Sequence, residues 1–452
     1  MAAPVRGAAV HMIVTSAVRR HPRAPHAGVP GRSGGRIASS AMGKLPIRAR
    51  LATTIGGAAG KVSRLAGRGD GSVIGGVIGL RVEPDLLALL AADRRVVLVT
   101  GTNGKTTTTR LITAALGALG QEVASNAFGA NMEAGLTAAL GQAPNASMAV
   151  LETDEKYLPA VLKATRARVV ALLNLSRDQM DRAAEIWLVA RRWREALASA
   201  PDCRVVANAD DPLIVWAAGG APDVIWVAAG QRWHEDSWCC PQCGSHLSRD
   251  ELGWRCGECE FTRPPARWVL EGSSVIDSQG QVHDLSLSLP GRANRANAVV
   301  ALAVSEVFGV PPAQALPRLR DVASVAGRYT TVERRGRQVR LLLAKNPAGW
   351  LEAFDVLDEA SVPVLLSVNA REPDGKDTSW LWDVDYRVLR GRPVLVTGER
   401  RLDLAVRLEA DLVPFELTEG VDEAVDRVNG RLDVIANYTA FQQIRVTLGR
   451  AA

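Results

Sequence analysis

The stretch LVTGTNGKTTTTRL, residues 98–111, has the pattern of a phosphate-binding loop between a strand and a helix. Gly101 and Gly104 let the backbone turn tightly, so that several N–H groups face one point at the amino end of the helix. Lys105 is placed to reach the β- and γ-phosphates of a nucleotide, and the Thr106 hydroxyl is placed to ligate Mg²⁺. The alternative is a glycine-containing turn with an incidental lysine. The strand before the loop and the helix after it favour nucleotide binding.

Short β-rich runs alternate with helical patterns from about residue 90 onward. This alternation predicts an α/β fold with a parallel sheet. The helix that follows the loop is expected over residues 105–119, because apolar residues recur there at helical spacing. The expected strands of this first unit are 95–100, 148–151, 169–173 and 204–207.

A second, Rossmann-like α/β unit is expected beyond a boundary near Thr331. Its expected strands are 362–368, 394–397 and 432–436. The residues before the first unit are rich in Arg, Pro, Gly and Ala, and the earliest of them have too few large apolar side chains to form a core. The expected segments are therefore a disordered basic extension over 1–41, a helical lead-in over 42–90, a central ATP-binding domain over 91–330 and a C-terminal α/β domain over 331–452.

Composition restricts the class of partner. The chain of 452 residues is 47% hydrophobic and 23% charged, as is usual for a globular enzyme. Its net charge of +6 is concentrated at one end, because the first 70 residues contain 12 Arg and Lys and a single acid, Asp70. The remainder is mildly acidic, so no nucleic-acid-binding core is expected. No apolar run resembles a secretory signal or reaches the roughly 18 to 20 residues of a transmembrane helix.

Two paired-cysteine motifs interrupt the α/β pattern within residues 233–264. Cys240 and Cys243 form one C-x-x-C, and Cys256 and Cys259 form the other. Two such pairs place four thiolates around one Zn²⁺, which can fold a segment too small for its own core. Disulfides are the alternative, but a chain without a secretory signal is expected in a reducing compartment. Four sulfur ligands leave no position for water, so the predicted zinc is structural.

The loop sequence G-T-N-G-K-T-T resembles the signature of the Mur ligases and folylpolyglutamate synthases, which join a carboxylate to an amine with ATP. The resemblance implies that Glu152, in VLETDE, is a second Mg²⁺ ligand. It also implies that Asn297, in GRANRAN, faces adenine and that Arg328, in AGRYT, reaches the phosphates. One departure is Gln179, which stands where Mur ligases usually have histidine. The implied ATP-binding residues are Thr102, Asn103, Gly104, Lys105, Thr106, Thr107, Asn297 and Arg328.

A second stretch, VNAREPDGKDTSWLWDVDY over residues 368–386, narrows the resemblance. Together with the four cysteines, it is similar to the MurT-type synthetase subunits of lipid II isoglutaminyl synthases, within the Mur ligase family. This similarity implies that ATP phosphorylates the α-carboxylate of D-glutamate in the lipid II stem peptide, and that ammonia then displaces phosphate to leave D-isoglutamine. Lys105 and Arg328 would neutralise the triphosphate as charge moves. The implied place of this peptidoglycan biosynthesis step is the cytoplasm, at the inner face of the membrane.

Ammonia requires a source, because at neutral pH it is mostly ammonium, which is not nucleophilic. A glutaminase needs a reactive Cys with a His. The sequence offers no convincing pair, since four of its six Cys are assigned to zinc and three of its six His lie in the basic extension. The family resemblance implies a separate GatD-like glutamine amidotransferase subunit, in a heterodimer with this chain.

The resemblance further implies that an Asp of this chain completes the partner's Cys–His pair by orienting the imidazole. Asp377 is the first candidate and Asp374 the second, with Asp383 and Asp385 behind them. The alternative is that these acids cap turns and carry surface charge. Two tryptophans flank the acids and are either buried packing or anchors of a subunit contact: Trp380 and Trp382.

Two other functions stay open at this point. One is a ligase of the Mur or folylpolyglutamate type that adds a free amino acid and needs no partner. The other is a zinc-ribbon nucleic-acid adaptor with a degenerate nucleotide fold, against which the intact phosphate loop argues.

Overall fold

The structure is a computed structural model that describes residues 45–65, 72–126, 130–177, 186–251, 253–325, 328–357 and 361–449. The expected basic extension over residues 1–41 lies outside these ranges, and so does Gln179. Within them, no helix is both long enough and apolar enough to cross a bilayer.

The strands are numbered along the chain. They are β1 (Arg95–Thr100), β2 (Val123–Ser125), β3 (Met148–Glu152), β4 (Val169–Leu172), β5 (Arg204–Asn208), β6 (Val224–Ala228), β7 (Leu247–Asp250), β8 (Gly253–Cys256), β9 (Trp268–Glu271), β10 (Ser274–Ile276), β11 (Val282–Asp284), β12 (Tyr329–Arg334), β13 (Arg337–Leu343), β14 (Val364–Ser367), β15 (Val394–Thr397), β16 (Glu416–Leu417) and β17 (Arg431–Ala436).

The helices are numbered in the same way. They are α1 (Ile47–Leu65), α2 (Ser72–Val82), α3 (Leu86–Ala91), α4 (Lys105–Leu116), α5 (Glu133–Gln142), α6 (Leu158–Thr165), α7 (Ile186–Ala198), α8 (Pro212–Ala218), α9 (Arg292–Val307), α10 (Pro312–Arg320), α11 (Pro347–Phe354), α12 (Arg401–Ala410), α13 (Val421–Arg427) and α14 (Tyr438–Gly449).

A nine-stranded sheet carries the phosphate loop. Its order is β11-β10-β9-β6-β5-β4-β1-β3-β2, and the run from β9 to β2 is parallel, whereas β10 and β11 pair antiparallel. Strand β1 lies between β3 and β4, and every residue of it after Arg95 is buried. The carboxyl ends of β1, β3, β4 and β5 therefore meet along one edge, which is where ligands bind in parallel α/β sheets.

Helices cover both faces of this sheet. Leu111, Val299 and Leu316 represent the core formed by α4, α9 and α10 on one face. Leu136 and Trp193 belong to the core on the other face, which includes α3, α5, α6, α7 and α8. Two buried faces explain why the central strands read as continuous apolar runs rather than alternating ones.

The first two helices pack through glycines. A Cβ at Gly56 would fall on the carbonyl of Gly75, and a Cβ at Gly76 would fall on the carbonyl of Ala134 in α5. The missing side chains let the backbones of α1, α2 and α5 approach closely, as small residues do wherever helices pack tightly.

A small ribbon, β7 paired antiparallel with β8, stands between β6 and β9 in the sequence. The Trp254 indole N–H donates to the carbonyl of Ala209 at 3.0 Å. Cys240, Leu247 and Val215 share a small apolar cluster with this tryptophan. The ribbon is thus fixed to the segment that follows β5.

A six-stranded sheet forms the second unit, in the order β12-β13-β17-β14-β15-β16. All pairs are parallel except β12 with β13. The sheet starts at Tyr329, just ahead of the expected boundary at Thr331. The Arg340 guanidinium forms a buried ion pair with Asp433 of the neighbouring strand, at 2.7 Å.

The predicted strands are confirmed, with ends that differ by no more than two residues from those expected. The helix expected over 105–119 ends earlier as an α-helix, at Leu116, and continues as a 3₁₀ turn, Gly117–Leu119. Gly120 follows with a φ of 68°, which stops the helix there.

Candidate functional site

The loop between β1 and α4 turns on two glycines with positive φ, 142° at Gly101 and 85° at Gly104. A Cβ at Gly104 would lie 2.6 Å from the Asn297 side-chain oxygen. Only glycine allows that conformation and that approach together. The loop thus ends at the amino terminus of α4, whose first N–H groups have no helical partner and attract anions.

Asn174, just after β4, holds the loop in this shape. Its side-chain oxygen accepts from the Asn103 N–H at 2.9 Å, and its side-chain NH₂ donates to the Asn103 carbonyl at 3.1 Å. The Thr102 hydroxyl donates to the Ser176 carbonyl at 3.1 Å and accepts from the Ser176 N–H at 3.0 Å. These bonds hold the backbone of the loop in place.

Lys105 is buried and folds back on its own loop. Its ammonium donates to the carbonyls of Gly101 at 2.6 Å and Thr102 at 3.2 Å, and it forms an ion pair with Glu155 at 3.1 Å. Burial raises the pKa of Glu155, and the neighbouring Lys105 lowers it. Glu155 was not predicted from the sequence, although its place in ETDEK, shortly after β3, was a signal that could have pointed to it.

Thr106 and Glu152 lie on a cavity of about 460 Å³ at the edge of the sheet. The Arg328 guanidinium donates to the Thr106 hydroxyl at 3.1 Å, so the start of the second unit reaches the loop. Glu152 is 1% exposed, and one of its carboxylate oxygens has no hydrogen-bond partner among the described residues. A buried, unpartnered carboxylate oxygen beside a hydroxyl is a donor set that suits Mg²⁺.

A second cavity, of about 120 Å³, opens on the other side of the loop and has an apolar lining with polar groups at its rim. Asn297 and Asn103 lie at its loop end, and Glu352 of α11 lies across from them. The Glu352 carboxylate pairs with Arg292 at 2.8 Å. Thr107 lines neither cavity, since its side chain is buried in the first turn of α4.

The two sheet units meet at the loop. The Asn103 side-chain NH₂ donates to the Asn346 side-chain oxygen at 3.2 Å, and Asn346 donates back at 3.3 Å. Asn346 also caps α11, because its side-chain oxygen accepts from the Gly349 N–H at 2.9 Å. The wall of the cavity of about 120 Å³ is therefore built from both units.

The four expected zinc ligands come together. The ligand atoms of Cys240, Cys243, Cys256 and Cys259 all lie within 4.8 Å of one another, and the structure has these cysteines as free thiols rather than disulfides. Four sulfurs in such a cluster match the donor set of a structural zinc site.

Asp210 connects the ribbon to the cavity beside the loop. Its carboxylate accepts from the N–H groups of Ala229 at 2.8 Å and Gly230 at 2.7 Å, both of which line that cavity. The Arg263 guanidinium, from the ribbon side, donates to the other oxygen of Asp210 at 2.7 Å. The ribbon thus supports the backbone that shapes the cavity wall.

The two leading acids of the second unit have different surroundings. Asp374 is nearly buried, and its carboxylate accepts from the Thr439 N–H at 2.8 Å and from the Thr439 hydroxyl, which holds the start of α14. Asp377 is exposed, and Ser379, whose N–H donates to it at 2.8 Å, is its hydrogen-bond partner among the described residues. That backbone hydrogen bond lowers the pKa of Asp377 and keeps it ionised.

The other two candidate acids and the two tryptophans beside them also differ in their contacts and exposure. Asp385 caps a 3₁₀ turn and pairs with Arg387 at 2.8 Å, while Asp383 lies 3.5 Å from Arg177. Trp380 is buried against Trp350 in the core, whereas Trp382 is 59% exposed under the Arg407 guanidinium. Trp380 is therefore packing, and Trp382 is the tryptophan available for a contact.

Family models match both units. The Mur ligase middle domain matches residues 99–305, and the MurT ligase C-terminal domain matches residues 343–441. The chain is 29% identical over 421 residues to the lipid II isoglutaminyl synthase (glutamine-hydrolyzing) subunit MurT of Staphylococcus aureus (strain COL), an alignment that covers 86% of this chain and 95% of the relative.

Solved structures share the fold. A pseudomurein peptide ligase type C from Methanothermus fervidus has a TM-score of 0.64 at 18% identity, with 80% of each chain covered. The folylpolyglutamate synthase of Mycobacterium tuberculosis complexed with ADP has a TM-score of 0.54 at 18% identity, over 81% of this chain and 93% of that one. The first α/β unit carries the phosphate loop and matches the Mur ligase middle domain, and the second matches the MurT C-terminal domain. The chain is therefore a ligase of the Mur ligase family, in its MurT branch.

Proposed function

We propose that this chain is the synthetase subunit of a lipid II isoglutaminyl synthase, which uses ATP to amidate the α-carboxylate of D-glutamate in the lipid II stem peptide. The observation that carries the proposal is the convergence of Lys105, Thr106, Arg328 and Glu152 at one sheet edge, between two cavities. A nucleotide is proposed to bind on one side of the loop and a carboxylate-bearing acceptor on the other. This is the arrangement that in-line phosphoryl transfer to a carboxylate requires.

The reaction has two steps. A carboxylate oxygen of the substrate attacks the γ-phosphorus, and the bond from phosphorus to the bridging oxygen of ADP breaks, which gives an acyl phosphate. Ammonia then attacks the acyl carbon, and phosphate leaves. Lys105 and Arg328 are proposed to stabilise the charge that moves onto the leaving group. Thr106 and Glu152 would hold Mg²⁺, which neutralises phosphate charge when bound.

Ammonia is proposed to come from a GatD-like glutaminase subunit in a heterodimer. Among the described residues no cysteine thiol hydrogen-bonds an imidazole; Cys239 and His246 lie opposite each other in a β-bridge of the ribbon without such a bond. Burial raises the pKa of Cys203 to about 12, so this thiol is unreactive. Exposed Asp377 is proposed to complete the partner's Cys–His pair, with Trp382 in the same contact.

The four clustered cysteines are proposed to bind one structural Zn²⁺. The site of action is proposed to be the inner face of the membrane, because the proposed substrate carries a lipid. No nucleic acid is proposed as a partner.

The test combines the purified chain, lipid II in detergent, ATP and Mg²⁺ with one of three nitrogen sources: an ammonium salt, glutamine with the partner subunit, or free amino acids. Conversion of one carboxylate to a carboxamide, seen by mass spectrometry with the first two sources, supports the proposal. Product formed with a free amino acid and without a partner would instead identify an amino-acid-adding ligase.

A further inference from the structure

The first two helices expose apolar side chains on the side away from their packing seam. On α1, Ile47, Leu51 and Val62 are 84%, 54% and 65% exposed, while Ala49 and Ala52 on the opposite side are fully buried. The exposed positions recur at the spacing of one helical face. On α2, Val73, Ile74 and Val77 are exposed in the same way, opposite the buried glycines.

Basic side chains border this apolar face. Arg48 and Arg50 at the start of α1, Lys61 near its end and Arg81 at the end of α2 are all exposed. Neither helix contains an acid. The acid that follows them, Glu83, lies 3.6 Å from Arg48 and is itself mostly buried.

An exposed apolar face with basic residues at its border distinguishes between two possible partners of this surface, a second protein and a lipid bilayer. Two helices that contain basic residues and no acid offer no complementary charge to a second copy of themselves. A helix that lies in a bilayer interface has the observed pattern: an apolar face flanked by Lys and Arg, which attract anionic headgroups. Length and charge exclude a spanning role for α1 and α2, but not a position parallel to the surface.

We propose that the exposed face of α1 and α2 docks on an anionic phospholipid surface. This membrane-docking face consists of Ile47, Leu51, Ile55, Val62, Val73, Ile74 and Val77, with the bordering residues Arg48, Arg50, Lys61 and Arg81. The inference extends the proposed function, since an enzyme whose substrate is tethered to lipid gains from being held at the same surface. The apolar side chains enter the headgroup boundary while the basic ones pair with lipid phosphates.

Binding of the full-length chain to vesicles tests the proposal without substrate or ATP. Vesicles of equal parts phosphatidylglycerol and phosphatidylcholine are compared with vesicles of phosphatidylcholine alone, by sedimentation. A variant with Ile47→Ser, Leu51→Ser and Val62→Ser is expected to bind the anionic vesicles about tenfold more weakly. A variant with Arg50→Gln and Lys61→Gln is expected to lose several-fold and to show a weaker dependence on salt.

The matched control carries Val282→Ser, Leu412→Ser and Val446→Ser, which removes exposed apolar side chains elsewhere on the molecule. This control is expected to bind like the wild type, and the basic extension is present in every variant. Equal binding by the Ile47/Leu51/Val62 variant and the wild type would overturn the proposal. Equal binding of the wild type to neutral and anionic vesicles would also overturn it. So would a concentration-dependent dimer that the wild type and the control form and the Ile47/Leu51/Val62 variant does not.

Amidation measured in detergent micelles separates this inference from the proposed function. The Ile47/Leu51/Val62 variant is expected to amidate lipid II at the wild-type rate in micelles. If the wild type itself forms no amidated product, the proposed function fails while the vesicle result stands on its own.

Discussion

At the scale of single residues, an ion pair joins Lys105, at the end of the phosphate loop, to Glu155. Both side chains are mostly buried; burial raises the pKa of Glu155, and the neighbouring Lys105 lowers it. Binding of a phosphate by Lys105 would compete with its contacts to Glu155 and to the carbonyl of Gly101. Lys105, which is proposed to bind phosphate, is therefore also part of the hydrogen-bonded structure of the loop.

Lys105→Ala is expected to abolish ATP turnover and also to destabilise the fold. It leaves the buried Glu155 carboxylate without a countercharge, which costs about 1 to 3 kcal/mol, because protonation relieves part of the penalty. Combining Lys105→Ala with Glu155→Gln is expected to restore the unfolding temperature but not turnover. Thermal unfolding measures the stability of the variants, and ADP release measures their ATP turnover. If Lys105→Ala alone were as stable as the wild type, the proposed contribution of the Lys105–Glu155 ion pair to stability would be contradicted.

Asp377→Asn and Asp374→Asn are expected to separate a partner contact from a structural acid. Asp377→Asn should abolish glutamine-driven amidation while ammonia-driven amidation is largely kept, because only the partner's imidazole loses its carboxylate. Asp374→Asn should reduce both activities and destabilise the second unit by about 1 to 3 kcal/mol, since an NH₂ then faces the donors of Thr439. Equal loss of both activities in Asp377→Asn would move this residue out of the proposed triad.

Asp211 is expected to make stability depend on pH. It is fully buried, burial raises its pKa to about 6, and its carboxylate accepts from the N–H groups of Leu213, Ile214 and Leu175. Between the unfolded pKa of about 4 and the folded value the native state holds more protons, so stability falls as pH rises through this window.

The largest effect expected from Asp211 is about 3 kcal/mol. Asp211→Asn has no titrating group at this position and should lose the corresponding slope, whatever its absolute stability. Urea unfolding of both proteins at several pH values checks this prediction. Parallel pH profiles for the two proteins would rule it out.

At the scale of elements, the ribbon of β7 and β8 supports the wall of the proposed nucleotide cavity. It does so through the hydrogen bond from Arg263 to Asp210. Arg263→Ala is expected to weaken ATP binding about three- to tenfold, because Asp210 loses a charge-assisted hydrogen bond that orients it toward Ala229 and Gly230. Arg255 lies on the same ribbon, pairs with Asp250 at the surface and provides the control. Calorimetric titration with a non-hydrolysable ATP analogue compares the Arg263 and Arg255 variants. Equal affinities would show that the ribbon does not affect nucleotide binding.

The sequence predicted some elements well for a physical reason. The strands, α4, the loop glycines and the four cysteines are coded by local spacing, which a single sequence displays. Glu155, Asn346 and the link from Arg263 to Asp210 were missed, because each depends on segments that are distant in sequence and meet only in the fold. The different settings of Asp374 and Asp377 were hidden for the same reason, since Thr439 lies 65 residues from Asp374.

At the scale of the whole molecule, the proposed nucleotide cavity lies at a joint between the two sheet units. Asn346 of the second unit contacts Asn103 of the loop, and Arg328 contacts Thr106. A change in the second unit that leaves its own fold intact is therefore expected to alter nucleotide binding.

Asn346→Asp and Asn346→Ser test this joint. Both retain a side-chain oxygen that caps α11, so the unfolding temperature should change little. Asn346→Asp places a negative charge beside the phosphates and should weaken ATP binding about tenfold, whereas Asn346→Ser should weaken it less. Equilibrium binding measures the difference, and an aspartate variant with unchanged affinity would show that the joint lies too far from the phosphates to matter.

The pairing of Asn103 with Asn346 joins positions that are 243 residues apart. A nascent chain that ends after α9 contains the loop but only one side of the proposed nucleotide cavity. Ala348 and Glu352, which line the other side, do not yet exist at that stage. Unfinished chains would consequently lack a complete copy of the proposed ATP site, and the proposed use of ATP would begin only late in translation.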